Sequence, residues 1–235
     1  MSNKVTFKKG NNIFVITKGK TTNNKISDGT VLVQTYTFSL EQYNLANIGH
    51  KIKMKDFFAL DGSNCLDCPY SLGSGKGGCY THKFRQYTGF LSTLRSIKKE
   101  DISELTTEKF KTILDMSHNT YVRFGSYGEP SLLPIELVQS MSLLSKNWTG
   151  YTHQYKKDWA KDFNSFFMAS THNQIEADYA KSLNFRSFIA TNEGNEVATS
   201  CPASAEMNYI SNCAKCGLCS GNDGKGTKDI KILQH

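Results

Sequence analysis

The cysteines of this chain fall into two groups with none between them. Cys65, Cys68 and Cys79 form the first, and Cys201, Cys213, Cys216 and Cys219 form the second. Any fold of this chain must therefore accommodate a CxxCxxC triplet, CAKCGLC at 213–219, and whatever its thiols bind. Seven is an odd number, so a single chain cannot pair them all. The opening MSNKVTFKKG has no apolar run behind its charges, and no stretch approaches the roughly 18 apolar residues of a membrane span. The expectation is a soluble cytoplasmic protein, where structural disulfides are rare. Metal binding is then the expected use of both groups.

The second group carries the stronger signal. Four thiolates match a four-coordinate metal or a cubane iron–sulfur cluster. CxxCxxC holds three of them, and Cys201 supplies a fourth across eleven intervening residues. Zinc fingers and ribbons use CxxC pairs, one from each arm. A triplet with a remote cysteine next to proline, here Pro202, is closer to ferredoxin-type ligation of a 4Fe-4S cluster. Lys215 and the nearby glycines argue against seven inert thiols in an apolar core.

The first group is CxxC, ten residues, then Cys79. Three thiolates leave a fourth position. Either His82 closes it as a Cys₃His zinc site, or it stays open to a small molecule. The surrounding loop, 61–82, has no clear helical or strand period and carries Gly62, Gly73, Gly75, Gly77 and Gly78. A loop of that length without structure of its own is functional or disordered.

Hydrophobic residues are 38% of the 235, enough to bury a core without disulfides. VTFKKGNNIFVI reads as a hairpin and TVLVQTYTF as a strand, both rich in β-branched and aromatic residues. TTEKFKTILDMSHN reads as a helix with Phe110, Ile113, Leu114 and Ser117 on one face. Then TYVRFG is a strand, and LPIELVQSMSLLSKN a helix with Pro134 in its first turn. WTGYTH is strand-like, KDWAKDF a short helix and SFFMAS a strand. THNQIEADYAKSLN is helical, with Ile175, Tyr179 and Leu183 spaced four apart. FRSFIAT, NEVATS and KDIKIL are further strands. Alternating elements argue for an α/β protein with a mainly parallel sheet. The strands are too few and short for a full eight-unit barrel. An incomplete or irregular βα barrel-like sheet is expected, with an N-terminal hairpin arm and cysteine-rich metal-binding loops; a doubly wound open sheet is the alternative. Residues 1–60 are read as a basic β-rich segment, and 61–235 as the core carrying both cysteine sets.

α/β proteins gather their sites beyond the ends of parallel strands. There this chain has Gly125, Ser126, Gly128 and Glu129 after YVRF, His153 after WTGYT, then Ser170 and His172, Cys201, and His235 at the chain's end. Arg123 lies within its strand and needs a partner or solvent if it points inward. Each of these residues also has an ordinary structural explanation. Gathered on one rim with the thiols, they form a candidate site. Glu129, Arg123 and His153 are the candidate catalytic groups, and Gly125, Ser126, Gly128, Glu129 and Ser170 the cofactor-binding ones.

CLDCPYSLGSGKGGCY, RFGSYGEP, GYTH, MASTHNQIEADYAKSLNFRSFIA, CPAS, CAKCGLC and the final QH together resemble, in that order, a functionally uncharacterised cysteine-rich family of bacteriophage and prophage proteins, the gene-product-88-like family. The resemblance covers roughly residues 60–235. It implies that Cys65, Cys68, Cys79, Arg123, Glu129, His153, Ser170, Cys201, Cys213, Cys216, Cys219 and His235 occupy the family's characteristic positions. The family's usual Gly-Asp-Pro is Gly128-Glu129-Pro130 here. A looser likeness is to radical S-adenosylmethionine proteins. YGEP is similar to their Gly-Gly-Glu-Pro segment, with Tyr127 in place of the first glycine, but their CxxxCxxC is absent. It implies S-adenosylmethionine as a cofactor.

Two functions follow as expectations. One is a phage-encoded iron–sulfur protein of the bacterial host's cytoplasm, with a radical-S-adenosylmethionine-like partial barrel, acting on nucleotides or nucleic acid. Its first cysteine set would present the reactive metal, with Glu129 and Arg123 orienting the ligand. The other is a non-catalytic, zinc-stapled binder of nucleic acid or of a host protein. Net charge +7 and the acid-free stretch holding Lys4, Lys8, Lys9, Lys18, Lys20 and Lys25 support it. So would Tyr80, Phe84 and Tyr87 beside Lys83 and Arg85, as a surface for stacked bases. GSGKGG lacks the spacing of a phosphate loop, and HExxH and GxSxG are absent.

Overall fold

The computed structural model describes residues 3–49, 51–192 and 198–233. Its strands are β1 (Lys4–Lys9), β2 (Asn12–Gly19), β3 (Leu32–Ser39), β4 (Tyr121–Tyr127), β5 (Asn147–Thr149), β6 (Tyr151–Thr152), β7 (Met168–Thr171), β8 (Ser187–Ala190), β9 (Thr199–Ser200) and β10 (Ile230–Ile232). Its α-helices are α1 (Leu40–Ala46), α2 (Met54–Phe58), α3 (Gly62–Cys65), α4 (Phe84–Arg95), α5 (Thr107–Ser117), α6 (Ile135–Leu144), α7 (Gln174–Ser182) and α8 (Cys213–Cys216). Among the described residues the fold is mixed α/β with two five-stranded sheets, ordered β1-β2-β3-β4-β5 and β6-β7-β8-β10-β9.

The hairpin turns at Gly10, whose φ of +58° costs glycine little. β2 is buried on both faces. Phe14 and Ile16 join Phe7, Val122, Phe124, Leu137 and Met141 in the larger core. Ile13 and Val15 join Phe38, Phe57, Phe58, Phe90 and Tyr127 in a second. The expected N-terminal arm is therefore a structural part of the sheet, because its alternating apolar residues have a core on either side. β2 pairs antiparallel with β3 from Asn12↔Ser39 to Gly19↔Leu32. From β3 onward every ladder is parallel. Parallel neighbours need long crossovers, which α6, α7 and a 3-10 helix at Asp158–Ser165 help supply.

One stretch of chain belongs to both sheets. β5 pairs with β4 and β6 with β7, and only Gly150 separates β5 from β6. A Cβ at Gly150 would run into the Phe167 ring, so glycine lets the chain pass close over the core.

Two local expectations are corrected. α7 turns Ile175 and Tyr179 to solvent and lays Ala177 and Ala180 on the sheet, because small side chains allow the closer approach. Pro134 is the N-cap of α6, ahead of its first turn. KDWAKDF is a short helix as expected, in 3-10 form. Of NEVATS, Thr199 and Ser200 form β9, while 195–197 lie outside the described residues.

Candidate metal centres

The second cysteine set converges. Cys201 leaves β9 with its N–H donating to the Lys231 carbonyl of β10 at 2.8 Å. The 213–219 segment crosses the starts of β4 and β5. Cys213 and Ala214 donate their N–H groups to the carbonyls of Lys25 and Ile26, at 3.0 and 2.9 Å. Asn147, the first residue of β5, donates to the Ala214 carbonyl at 2.8 Å. Asn212 caps α8 by accepting from Lys215 N–H, and Gly217 ends the helix at φ +65°. Packed against Asn147, Gly217 has no room for a Cβ.

All four thiols line one narrow cleft with Thr149, Tyr151 and Ile230. Its free space is about 10 Å³, room for roughly one water molecule at most. Lys215 is exposed and paired with Asp28 at 2.6 Å, as the polarity of this segment suggested. Cys201 and Cys219, by contrast, pack with Met168, Ala203 and Ile230. Burial pushes the Cys213 thiol up to about 11, against the pull of the Arg123 guanidinium and Lys25. Burial also raises Cys201 and Cys219. The four cysteines form no disulfide, and the raised thiols of Cys201, Cys213 and Cys219 stay protonated at neutral pH.

The first set is organised by Asp61, a residue the sequence reading overlooked. Asp61 is fully buried. Its Oδ1 accepts from Ser71 Oγ at 2.6 Å and from Gly73 N–H at 2.7 Å. Its Oδ2 lies 3.2 Å from His82 Nε2. Around it the Cys65 N–H donates to the Asp61 carbonyl, Cys68 N–H to Cys65, and Cys79 N–H to Tyr70. Burial, then the neighbouring Asp61, Cys68, Cys79 and Glu129, pushes the Cys65 thiol well up. Burial raises Cys68 to about 11. His82, the candidate fourth ligand, turns Nε2 to Asp61 and stacks on Phe58 with ring centres 4.1 Å apart.

The segment after β4 is tied to this loop. Glu129 N–H donates to the Asn64 carbonyl at 2.7 Å. The buried Glu129 carboxylate accepts from Ser131 N–H (3.1 Å) and Ser131 Oγ (2.7 Å) through one oxygen, and from His153 N–H (3.2 Å) through the other. It thus holds the turn and the residues after β6 together. Burial raises its pKa despite those bonds. Gly125 and Gly128 have φ of +67° and +75°. A Cβ on Gly128 would lie 2.5 Å from the Thr37 carbonyl. Ser126 Oγ donates to Gln34 Oε1 at 3.2 Å.

His153 and His172 stack with centres 5.7 Å apart, and Tyr70 OH lies 3.2 Å from His172 Nδ1. Burial pushes His153 down to about 4, so its ring is neutral at physiological pH. The His172 Nε2 is buried without a hydrogen-bond partner. Ser170 stands opposite Phe188 in the β7–β8 ladder. His235 lies outside the described residues.

The expectation of a single rim is corrected. The first set lies beyond the end of β4, with Glu129 and His153. The second lies across the starts of β4 and β5 and against β9–β10, because its backbone bonds run to residues 25–26 and to Asn147. Arg123 stands between, its Nη2 donating to Tyr80 OH at 3.1 Å. The proposed stacking surface is also reduced. Tyr80 and Phe84 are exposed, but Tyr87 is buried and donates its hydroxyl to the Ile52 carbonyl at 2.6 Å.

Among the described residues, no three His, Cys, Asp or Glu side chains are already arranged to hold a metal ion. No helix among them is long and apolar enough to cross a membrane. Comparison with protein families, curated proteins and solved structures finds no match to this chain.

Proposed function

We propose that this is a metal–thiolate protein, in which Cys201, Cys213, Cys216 and Cys219 hold one centre and Cys65, Cys68 and Cys79 hold a second with a position left for another ligand. One observation carries the reading: four cysteines from two distant segments line the same cleft. An all-thiol donor set suits a soft metal, and such a group would supply either a structural clamp or an electron. We assign the four-thiol centre to a 4Fe-4S cluster on its CxxCxxC-plus-Cys-Pro spacing. The narrow cleft favours the second reading, a single zinc ion, because it leaves less room for a cluster.

In either case this chain's own residues have defined tasks. Asp61 braces the first cysteine loop. Glu129 locks that loop's neighbour to the end of β6. The neutral imidazoles of His153 and His172 offer hydrogen-bonding nitrogens rather than charge. We extend this to an open, barrel-like sheet whose parallel strands surround a ligand site. S-adenosylmethionine is the weaker proposal, since both Glu129 oxygens already accept hydrogen bonds from the chain.

Purification without oxygen, with an absorbance spectrum and counts of iron, sulfide and zinc, tests the reading. Iron and sulfide in equal amounts, with broad visible absorbance, support the cluster. Stoichiometric zinc supports the single ion. Protein that is folded and contains neither metal overturns the proposal.

A further inference from the structure

The two faces of the first sheet differ. On one, Phe14, Val33, Val122 and Phe124 belong to a single core. On the other, two separate apolar clusters lie along the strands. Leu32 and Tyr121 pack with Ile26 and Ala214 in one. Val15, Phe38 and Tyr127 pack with Phe90 in the other. Between them one register row is polar. Thr17 of β2 stands opposite Gln34 of β3, Gln34 opposite Arg123 of β4, and Arg123 opposite Thr149 of β5. Directly paired residues share a face, so the four project together across about 14 Å of sheet, three strand spacings.

The row is open to solvent where its flanks are not. Thr17, Gln34 and Arg123 are half-buried, whereas Leu32, Tyr121 and Val15 in the flanking rows are buried. Its side chains are mostly donors. Arg123 gives Nη2 to Tyr80 OH at 3.1 Å, which leaves the rest of its N–H fork. Tyr80 accepts that bond and keeps its own hydroxyl proton to donate, and its ring is 62% exposed. Gln34 uses its carbonyl oxygen to accept from Ser126 Oγ at 3.2 Å, leaving its Nε2 amino group as a donor. Arg123 takes part in none of the ion pairs among the described residues. A cation ringed by donors, between two apolar walls, is the complement of an oxyanion carried on an apolar body.

We infer that the Thr17–Gln34–Arg123–Thr149 row is a binding site for a small molecule that bears a carboxylate or phosphate on an aromatic or apolar body. The guanidinium takes the oxyanion, since its planar fork matches two oxygens at once. Gln34 and Tyr80 add hydrogen bonds from either side. The Tyr80 ring, and that of Tyr36 two residues along β3 from Gln34, cover the body of the ligand. A solvated charge on a sheet edge would need no such setting. Here the cation stands on β4, a strand paired on both sides. The inference goes beyond the metal–thiolate reading and uses no cysteine.

The test is isothermal titration calorimetry of the full chain, as purified, with two probes, phenyl phosphate and benzoate. At least one is expected to bind, and the tighter of the two names the anionic group. Arg123→Gln is expected to weaken that binding about ten- to a hundredfold, the range for a hydrogen-bonded charge. Arg123→Lys keeps the charge without the fork and is expected to weaken it less. Failure of both probes to bind the parent overturns the inference. So does a folded Arg123→Gln variant that binds as tightly as the parent, which is also the result expected if the anion goes to a bound metal. Circular dichroism checks folding. If Arg123→Gln does not fold, Gln34→Glu decides, because it sets a competing carboxylate beside Arg123: loss of binding supports the inference and unchanged binding overturns it. Metal counts on the same samples keep the two readings apart. A failed titration on protein that holds metal leaves the metal–thiolate reading standing, and metal-free protein that binds a probe through Arg123 upholds this inference alone.

Discussion

Asp61 and His82 meet at 3.2 Å beneath the first cysteine loop, one carboxylate oxygen facing the imidazole while the other accepts from Ser71 and Gly73. The contact joins the two ends of a loop that contains all three cysteines of that set. Burial alone would raise the Asp61 pKa, but the bonds from His82, Ser71 and Gly73 outweigh it and leave the group below its usual 3.8. A depressed carboxylate contributes stability above its unfolded pKa and loses it as pH falls through the folded value. Asp61→Asn should therefore cost about 1–3 kcal/mol at neutral pH and lose that part of the acid limb below about pH 4. Urea unfolding at several pH values measures both.

The two cysteine sets should be separable. Cys79→Ala is expected to lower bound metal by the share of the first centre while preserving the far-ultraviolet circular dichroism spectrum. Cys213→Ser should remove the share of the second and also lower the melting temperature, because its segment fastens residues 25–26 to β5. Metal counts and thermal melts on the same samples check this. Global unfolding of Cys79→Ala would contradict it.

Gly128 is expected to tolerate no side chain. Its φ is +75°, and a Cβ would stand 2.5 Å from the Thr37 carbonyl and 2.8 Å from Thr37 Cβ. Strain of about 1–3 kcal/mol from the backbone adds to the clash. Gly128→Ala should thus lose about 3 kcal/mol or more, read as a lowered denaturation midpoint.

On α7, Ile175→Ser should change stability by less than about 0.5 kcal/mol, since the side chain is 81% exposed. Ala180→Leu should cost about 1–3 kcal/mol by overpacking the contact with Ala169 and Phe185. Equal effects at both positions would refute the orientation described for this helix.

That pair also illustrates what the residues alone disclosed. Long runs such as NIFVITKG and LVQTYTFS announce strands because β-branched and aromatic side chains fit a pleated surface on either face. α7 announced itself as a helix, but its apolar spacing pointed to the wrong face. Alanines that meet a sheet closely carry little periodic signal, whereas Ile175 carries much. Cys201 and the 213–219 triplet could be linked in advance, since identical chemistry marks both. Asp61 could not. Its partners lie 10 to 21 residues away in a glycine-rich loop, and nothing in DGSNC distinguishes a buried acceptor from a solvated acid. The stacking of His153 and His172 is equally a product of β6 and β7 lying side by side. Each histidine by itself reads as an ordinary strand end.

Gly150 has a consequence for how the molecule comes apart. Because residues 147–152 serve as the last strand of one sheet and the first of the other, neither sheet has a complete edge without them. Phe163, Phe166 and Phe167, from beyond that junction, also fill the same interior as Phe14, Val122 and Phe124 from before it, so denaturation should proceed as one cooperative event with no half-folded plateau.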